Sequence, residues 1–161
     1  MSYVGFGSMW GDGENVPFYP LFDIFFKYNV VFAGGFGNVA KLKTFYKVGT
    51  KIAIWDGINI KAIGIAKSDF DSLDNLDINF SDEESSHFAI DETVLAAKVD
   101  LFRLEEKDFF LIGRRQKKFS NIQNIKFKNI INKLLKKYSG EKMKEEIKEL
   151  LETNKNLILT G

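Results

Sequence analysis

A glycine-rich segment, Gly35-Phe-Gly-Asn-Val-Ala40, is the first candidate in this chain for a ligand-binding motif. It fits the G-x-G-x-x-G/A pattern that places a dinucleotide's pyrophosphate at a helix N-terminus, and Asp56 follows at a distance suited to a ribose hydroxyl. Three features oppose this interpretation. The helix has only Asn38 to about Val48, which is short for a crossover, and the chain returns after Asp56 as a hairpin. No second mononucleotide half can fit in what remains. We therefore expect turn glycines, and a small nucleotide-binding domain is an alternative.

Few side chains that carry catalysis or bind metals are present. The chain has one histidine, His87, and no cysteine, which excludes disulfides and thiolate metal sites and leaves little for histidine catalysis. Carboxylates concentrate between Ser68 and Glu92, where no lysine or arginine occurs, and an EF-hand register from Asp77 fails at its glycine and glutamate positions. We expect a solvated acidic insertion, a surface histidine, no metal, no cofactor and no enzymatic activity.

Basic residues form two sets that could bind an anion. The segment Arg114-Arg115-Gln116-Lys117-Lys118 follows an apolar run, FFLIG, and could either contact phosphates or protect an edge strand. A looser set lies between Lys41 and Lys51. The formal net charge is only +1 because the acidic insertion offsets these sets, so the surface is expected to be dipolar.

The two tryptophans have similar sequence surroundings. Trp10 and Trp55 lie at predicted strand ends beside glycine-rich turns, MWGDG and IWDG. Strand ends hold side chains rigidly around a cleft, so such residues can form an aromatic cage for a flat ligand or the rim of a hydrophobic core.

The elements that must position these residues form a mixed α+β pattern. Apolar alternation predicts short strands, Asp56-Gly57 predicts a tight hairpin, and Gly64 and Gly113 predict bulges or bends. The expected architecture is a small curved antiparallel sheet. The predicted strands are Tyr3–Met9, Asn29–Ala33, Lys51–Trp55, Ile58–Ala66, Val94–Leu104 and Phe109–Gly113, and a helix is predicted over Phe18–Tyr28.

The chain changes character after Asn124. Apolar spacing predicts a helix through Tyr138, a break at Ser139-Gly140, a second helix, and a short buried strand at Leu157–Leu159. We therefore divide the chain into a domain at 1–124 and a helical linker at 125–161.

The C-terminal sequence, LLETNKNLILTG, resembles the approach to a phosphate-binding loop, with Gly161 as its first glycine. A similar amino-acid sequence precedes the Walker A loop in the AAA+ GTPases of McrB-type restriction systems. The segments Tyr3–Trp10, Lys47–Ala66 and VDLFRL…FLIGRRQKKFSNI resemble the PUA-like modules, of the EVE/YTH kind, at the N-termini of such proteins. The most specific match is Val48-Gly49-Thr50-Lys51-Ile52 with the return Ala62-Ile63-Gly64, where Thr50 replaces the family's usual Asp.

This resemblance implies a barrel-like PUA/EVE sheet with flanking helices and a chain that is cut before its motor. It implies a non-catalytic DNA-binding specificity domain of a modification-dependent or sequence-specific restriction system, which flips a base, often methylated, into an aromatic pocket. The implied pocket residues are Ser8, Trp10, Tyr19 and Trp55. The expected contacts to the DNA backbone are Lys41, Lys43, Arg114, Arg115, Lys117 and Lys118.

The implied partners are double-stranded DNA, an AAA+ GTPase motor in cis and an endonuclease subunit recruited through that motor. A rival fold is a B3-like pseudobarrel that reads an unmodified site in the major groove. Another rival function is a protein–protein adaptor that uses the acidic insertion and the helical tail. The chain has no long apolar run and no apolar signal core at its start, so we expect a cytoplasmic protein without a membrane span.

Overall fold

The computed structural model describes residues 1–10, 19–34, 36–88, 94–111 and 119–160. In this part of the chain, alternating apolar residues form strands and longer apolar periodicities form helices. The strands are β1 (Tyr3–Gly7), β2 (Met9–Trp10), β3 (Tyr19–Pro20), β4 (Val30–Gly34), β5 (Lys51–Asp56), β6 (Asn59–Ala66), β7 (Asp71–Ser72), β8 (Val94–Arg103) and β9 (Phe119–Asn121). The helices are α1 (Phe22–Tyr28), α2 (Phe36–Leu42), α3 (Asp82–Ser85) and α4 (Ile125–Thr160).

The main sheet follows the order β4-β8-β6-β5-β1-β9 and curls into a half-barrel, while β7 pairs separately with β8. The protein is therefore a mixed α+β fold, as the sequence pattern predicts. One pairing differs from the antiparallel expectation, because β1 and β5 are parallel, with Tyr3 beside Lys51 and Gly7 beside Trp55. Parallel neighbours need a long crossover, and the chain between β1 and β5 supplies it through α1, β4 and α2.

The hairpin predicted at Asp56-Gly57 is confirmed, because β5 and β6 pair on either side of it. Gly57 has a φ of +69°, a conformation that glycine adopts without strain. The irregularity in this hairpin lies between Ile54 and Trp55 and not at Gly64, where β6 continues unbroken. A Cβ at Gly64 would lie 2.5 Å from the carbonyl oxygen of Asp100, so the glycine allows close approach of β8.

Two hydrophobic clusters lie on opposite faces of the sheet. Successive side chains of a strand alternate between faces, and β5 follows this rule: Ile52 and Ile54 belong to the first cluster, whereas Ala53 and Trp55 belong to the second. The first cluster also includes residues of α1, α2 and the acidic insertion. The second includes Leu134, Tyr138 and other residues of α4.

Several boundaries near the N-terminus differ from the prediction. The first strand ends at Gly7 and the chain pairs again as β2, so Tyr3–Met9 is not continuous. The helix predicted from Phe18 begins at Phe22, because Pro20 belongs to β3. Of the strand predicted at 109–113, Phe110 makes one isolated bridge, to Ile60, and residues 112–113 lie outside the described part.

The predicted break at Ser139-Gly140 is wrong, because α4 runs without interruption from Ile125 to Thr160. The Ser139 hydroxyl donates to the Leu135 carbonyl at 2.5 Å, and an interior glycine costs a helix only about 1 kcal/mol. The strand predicted at Leu157–Leu159 is also helix. Short apolar runs look alike in helices and strands, so periodicity alone could not separate them.

The first half of α4 completes the second cluster, since its apolar face is buried on the sheet through Tyr138. The residues after Gly140 are exposed as far as Lys155, including Met143 and Ile147. The core of the domain therefore extends into the segment predicted as a linker. Within the described ranges, no helix is both long and apolar enough to cross a membrane.

Candidate nucleic-acid interface

Trp55 lies where the carboxyl ends of the parallel strands β1 and β5 meet. Its side chain is only 2% exposed and its six-membered ring lies directly over Gly5 of β1. A Cβ at Gly5 would be 2.1 Å from Trp55 Cζ3, so any larger residue would displace the indole. Gly5 therefore creates the space that this tryptophan fills.

Within the described ranges, the polar edge of the Trp55 indole has no hydrogen-bond acceptor. Its Nε1 is buried and unpartnered among the described residues, and leaving such a donor unsatisfied costs about 1–3 kcal/mol. The Ser8 hydroxyl donates to the Trp55 backbone carbonyl at 2.5 Å, and the Ser8 carbonyl accepts from the Leu21 amide at 2.6 Å. Ser8 and Trp55 are thus held together, as the predicted pocket requires.

Trp10 belongs to the opposite side of the sheet. It is 1% exposed and packs in the first cluster, where the rings of Phe32 and Phe88 meet it edge-on at centroid distances of 6.3 and 5.0 Å. The two tryptophans therefore do not wall a common pocket. Sequence reasoning treated them alike because their flanking turns are similar, but it could not assign each to a face.

Tyr19 is the exposed member of the predicted pocket, at 41%. It pairs with Trp10 across the β2–β3 ladder, and its ring stacks on the imidazole of His87 with centroids 3.5 Å apart and planes 5° from parallel. His87 is therefore not an isolated surface histidine. The partners are 68 positions apart in the sequence, which explains why no local pattern could reveal this stack.

Of the six residues predicted to contact the DNA backbone, two lie within the described part of the chain. Lys41 and Lys43 are exposed at the end of α2 and just after it. Hydrogen bonds from the Asn75 side chain and the Ser72 amide lower the pKa of Asp71, and the nearby charge of Lys43 adds to this effect. Lys43 consequently has an acidic neighbour. Arg114, Arg115, Lys117 and Lys118 lie outside the described residues.

The end of α2 and the start of β9 lie close together. Phe45, just beyond α2, contacts Phe119 with ring centroids 6.1 Å apart. Phe119 is the first residue of β9 and directly follows Lys118 in the sequence. The segment that follows α2 therefore packs against the first residue of β9.

Sequence reasoning named Lys51 only within the looser basic set and did not predict that it lies beside Lys128 at the start of β1. Lys51 and Lys128 both approach the ring of Tyr3, with Nζ-to-centroid distances of 5.4 and 5.3 Å. Lys51 Nζ and the Tyr3 hydroxyl both donate to Oδ1 of Asn132. The lysines are 77 residues apart, and only the packing of α4 on β1 joins them.

The residues of the nucleotide-binding alternative have simpler roles where they are described. Helix α2 spans seven residues, and Gly35 lies outside the described part. Asp56, the proposed ribose ligand, forms an ion pair with Lys61 across the β5–β6 hairpin at 3.4 Å.

The acidic insertion is anchored by one buried carboxylate, Glu84. It accepts hydrogen bonds from Lys27 Nζ at 2.8 Å and from the Tyr28 hydroxyl at 2.7 Å. It also closes a capping box with Ser81, whose amide donates to Glu84 Oε1 at 2.9 Å. The hydrogen bond from Lys27, with those from Ser81 and Tyr28, lowers the pKa of Glu84 to about 2.

No three potential metal ligands among His, Cys, Asp and Glu cluster in the described part of the chain. A scan against protein-family models and a search of curated proteins found no match to this sequence.

Proposed function

We propose that this chain is a non-catalytic, DNA-binding specificity domain that captures one base beside Trp55. The observation that carries the proposal is the indole N–H of Trp55, which is buried without an acceptor among the described residues. Buried donors in native proteins are nearly always satisfied, so an exception calls for an explanation. A nucleobase acceptor placed against the indole would satisfy this one.

The chemistry around Trp55 suits a base. Nucleobases carry ring-nitrogen and carbonyl acceptors at their edges, and the adjacent Ser8 hydroxyl could turn from the Trp55 carbonyl to a base edge. Flipping a base out of a duplex costs a few kcal/mol, and stacking on an aromatic ring returns about 1–3 kcal/mol. In the structure Trp55 is covered, so base entry requires its cover to move.

The charge of the β9 edge supports the same function. Lys41 at the end of α2 and the lysines around Tyr3 make no ion pair among the described residues, and the undescribed basic segment from Arg114 to Lys118 leads into the same strand. Sequence-independent contacts of this kind supply most of the affinity of a DNA-binding protein.

The resemblance of the sequence to PUA-like modules of the EVE/YTH kind places this proposal in a restriction system. In such a system the domain would direct an AAA+ GTPase motor in cis and, through it, an endonuclease subunit in the cytoplasm. The curled half-barrel is compatible with that fold class. We propose a PUA-like fold of the EVE/YTH kind as its specific class.

Binding of short duplexes, measured by fluorescence anisotropy at two salt concentrations, tests the proposal. Unmodified, cytosine-modified and N6-methyladenine duplexes are compared for the wild type and for Trp55→Phe, which keeps a ring and removes the N–H. Trp10→Phe is the matched control in the opposite cluster. We expect preference for one modified duplex, its loss in Trp55→Phe and its retention in Trp10→Phe.

Other outcomes are equally informative. Site-specific binding of unmodified DNA would overturn base capture in favour of B3-like readout. Loss of preference in Tyr19→Ala but not in Trp55→Phe would move the base to the Tyr19–His87 stack. Absence of DNA binding at low salt would overturn the function and favour the adaptor alternative.

A further inference from the structure

Lys51 and Lys128 are held around a single aromatic ring at the start of β1. Lys51 is level with Tyr3 in the parallel β1–β5 pair, and Lys128 reaches the same ring from the first turn of α4. Both lysines are half-buried, and Tyr3 is buried beneath them. Two flexible cations are thus brought to one place by the core of the domain.

In the described part of the chain, no carboxylate pairs with either of these two cations. No ion pair within the described ranges involves either lysine, and their contacts are the Tyr3 ring and, for Lys51, the neutral Asn132 side chain. A cation–π contact at a partly exposed site is worth only about 0.5–1 kcal/mol. Two ammonium groups close to one ring also repel each other, so an anion between them would be stabilised.

Asn132 adds a neutral donor of fixed orientation. Its Oδ1 accepts from both Lys51 and the Tyr3 hydroxyl, and this arrangement fixes which end of the amide is oxygen. Its Nδ2 makes no hydrogen bond to the rest of the described chain. Asn132 and Lys128 are four residues apart on α4, so they share one face of the helix.

We propose that Lys51, Lys128 and Asn132 form a seat for one phosphodiester of the DNA backbone. The inference rests on the proposed DNA-binding function and adds a contact that the basic segment does not supply. Tyr3 is two residues along β1 from Gly5, over which the Trp55 ring lies, so the seat is about 7 Å along the strand from that ring. One short duplex can therefore span both sites.

The test is the salt dependence of duplex binding by Lys51→Gln, Lys128→Gln and the double variant. Each phosphate contact contributes about 0.9 to the slope of log affinity against log salt, equivalent to roughly eightfold in affinity near 0.1 M salt. We expect the double variant to lose about that slope and affinity and each single variant to lose part of it, with no change in preference among modified duplexes.

Lys148→Gln is the matched control, because it removes the same charge from the exposed second half of α4. We expect it to leave the slope unchanged. Lys51→Arg and Lys128→Arg keep the charge and should retain most of the slope, which separates loss of a contact from loss of folding.

The outcomes separate the seat from the function. Wild-type binding with unchanged slopes in both glutamine variants would overturn the seat and leave the proposed function standing. An equal loss in Lys148→Gln would also overturn it, because the effect would then be one of net charge. Absence of wild-type binding would overturn both.

Discussion

The acidic insertion and the β9 edge of the sheet differ in whether their charged side chains are paired with other groups. In the insertion, the buried carboxylate of Glu84 accepts hydrogen bonds from Lys27 Nζ, the Tyr28 hydroxyl and the Ser81 amide. At the edge, Lys51 and Lys128 touch a ring and an amide but no carboxylate among the described residues. The paired charge of Glu84 holds the acidic insertion against the rest of the domain. The two lysines, which have no counter-charge there, are free to bind an anionic ligand.

Helix α4 repeats this contrast along its own length. The half that packs on the sheet, residues 125–139, contains five lysines and no acidic residue, whereas residues 141–155 contain five glutamates and four lysines. Mixed charges are typical of a solvated helix face. The basic character of α4 is therefore confined to the half that packs on the sheet.

The largest effect is expected from breaking the paired region. Glu84→Ala removes two side-chain hydrogen bonds and half of a capping box, so the free energy of unfolding should fall by about 2–3 kcal/mol. Urea unfolding measures this change. Glu83→Ala, in the same turn but exposed, is the control and should stay within about 0.5 kcal/mol of the wild type. Equal losses in the two variants would contradict the assigned anchor.

Low pH should break the Glu84 ion pair without any mutation, because it protonates the carboxylate. The pKa of Glu84 falls from an ordinary 4.5 to about 2 in the folded protein, so its contribution to stability is complete above pH 4.5 and is lost as the pH falls towards 2. The stability difference between wild type and Glu84→Gln, measured by urea unfolding at several pH values, should therefore shrink over this range. A difference independent of pH would contradict the ion pair.

A smaller change would turn a paired lysine into an unpaired one. Asp108 accepts hydrogen bonds from Lys137 Nζ at 2.8 Å and from the Tyr138 hydroxyl at 2.6 Å. These bonds lower the pKa of Asp108, and the bond from Lys137 has the larger effect. Asp108→Asn should cost about 1 kcal/mol of stability. It should also raise duplex affinity at low salt by roughly twofold, because Lys137 loses its counter-charge. Anisotropy and urea unfolding measure the two effects, and weaker DNA binding would contradict the contrast.

Local sequence patterns predicted those features of the fold that depend on local geometry. The Asp56-Gly57 dipeptide predicted a hairpin, and the alternation along β5 predicted a strand, whose side chains lie on both faces of the sheet. The pattern could not show that β1 pairs in parallel with β5, because that pairing depends on a crossover of more than forty residues. Nor could it show that Ser139-Gly140 continues a helix, since tertiary packing before the pair and a tolerable glycine cost decide the outcome.

The candidate site was predictable only in part for the same reason. Ser8 and Trp55 were both predicted as pocket residues, and the structure joins them through the hydrogen bond from the Ser8 hydroxyl to the Trp55 carbonyl. The separation of Trp10 from Trp55, the Tyr19–His87 stack and the Lys51–Lys128 pair all join residues distant in sequence. A single sequence carries no signal for such contacts.

The Trp55 N–H can be observed directly by nuclear magnetic resonance. With only two tryptophans in the chain, a ¹⁵N-labelled sample gives two indole signals, and Trp10→Phe assigns them. On titration with the preferred duplex we predict that the Trp55 indole proton moves to the shift of a hydrogen-bonded N–H and exchanges more slowly, while the Trp10 signal stays in place. A Trp55 signal that is unchanged at saturating DNA would contradict base capture at this site.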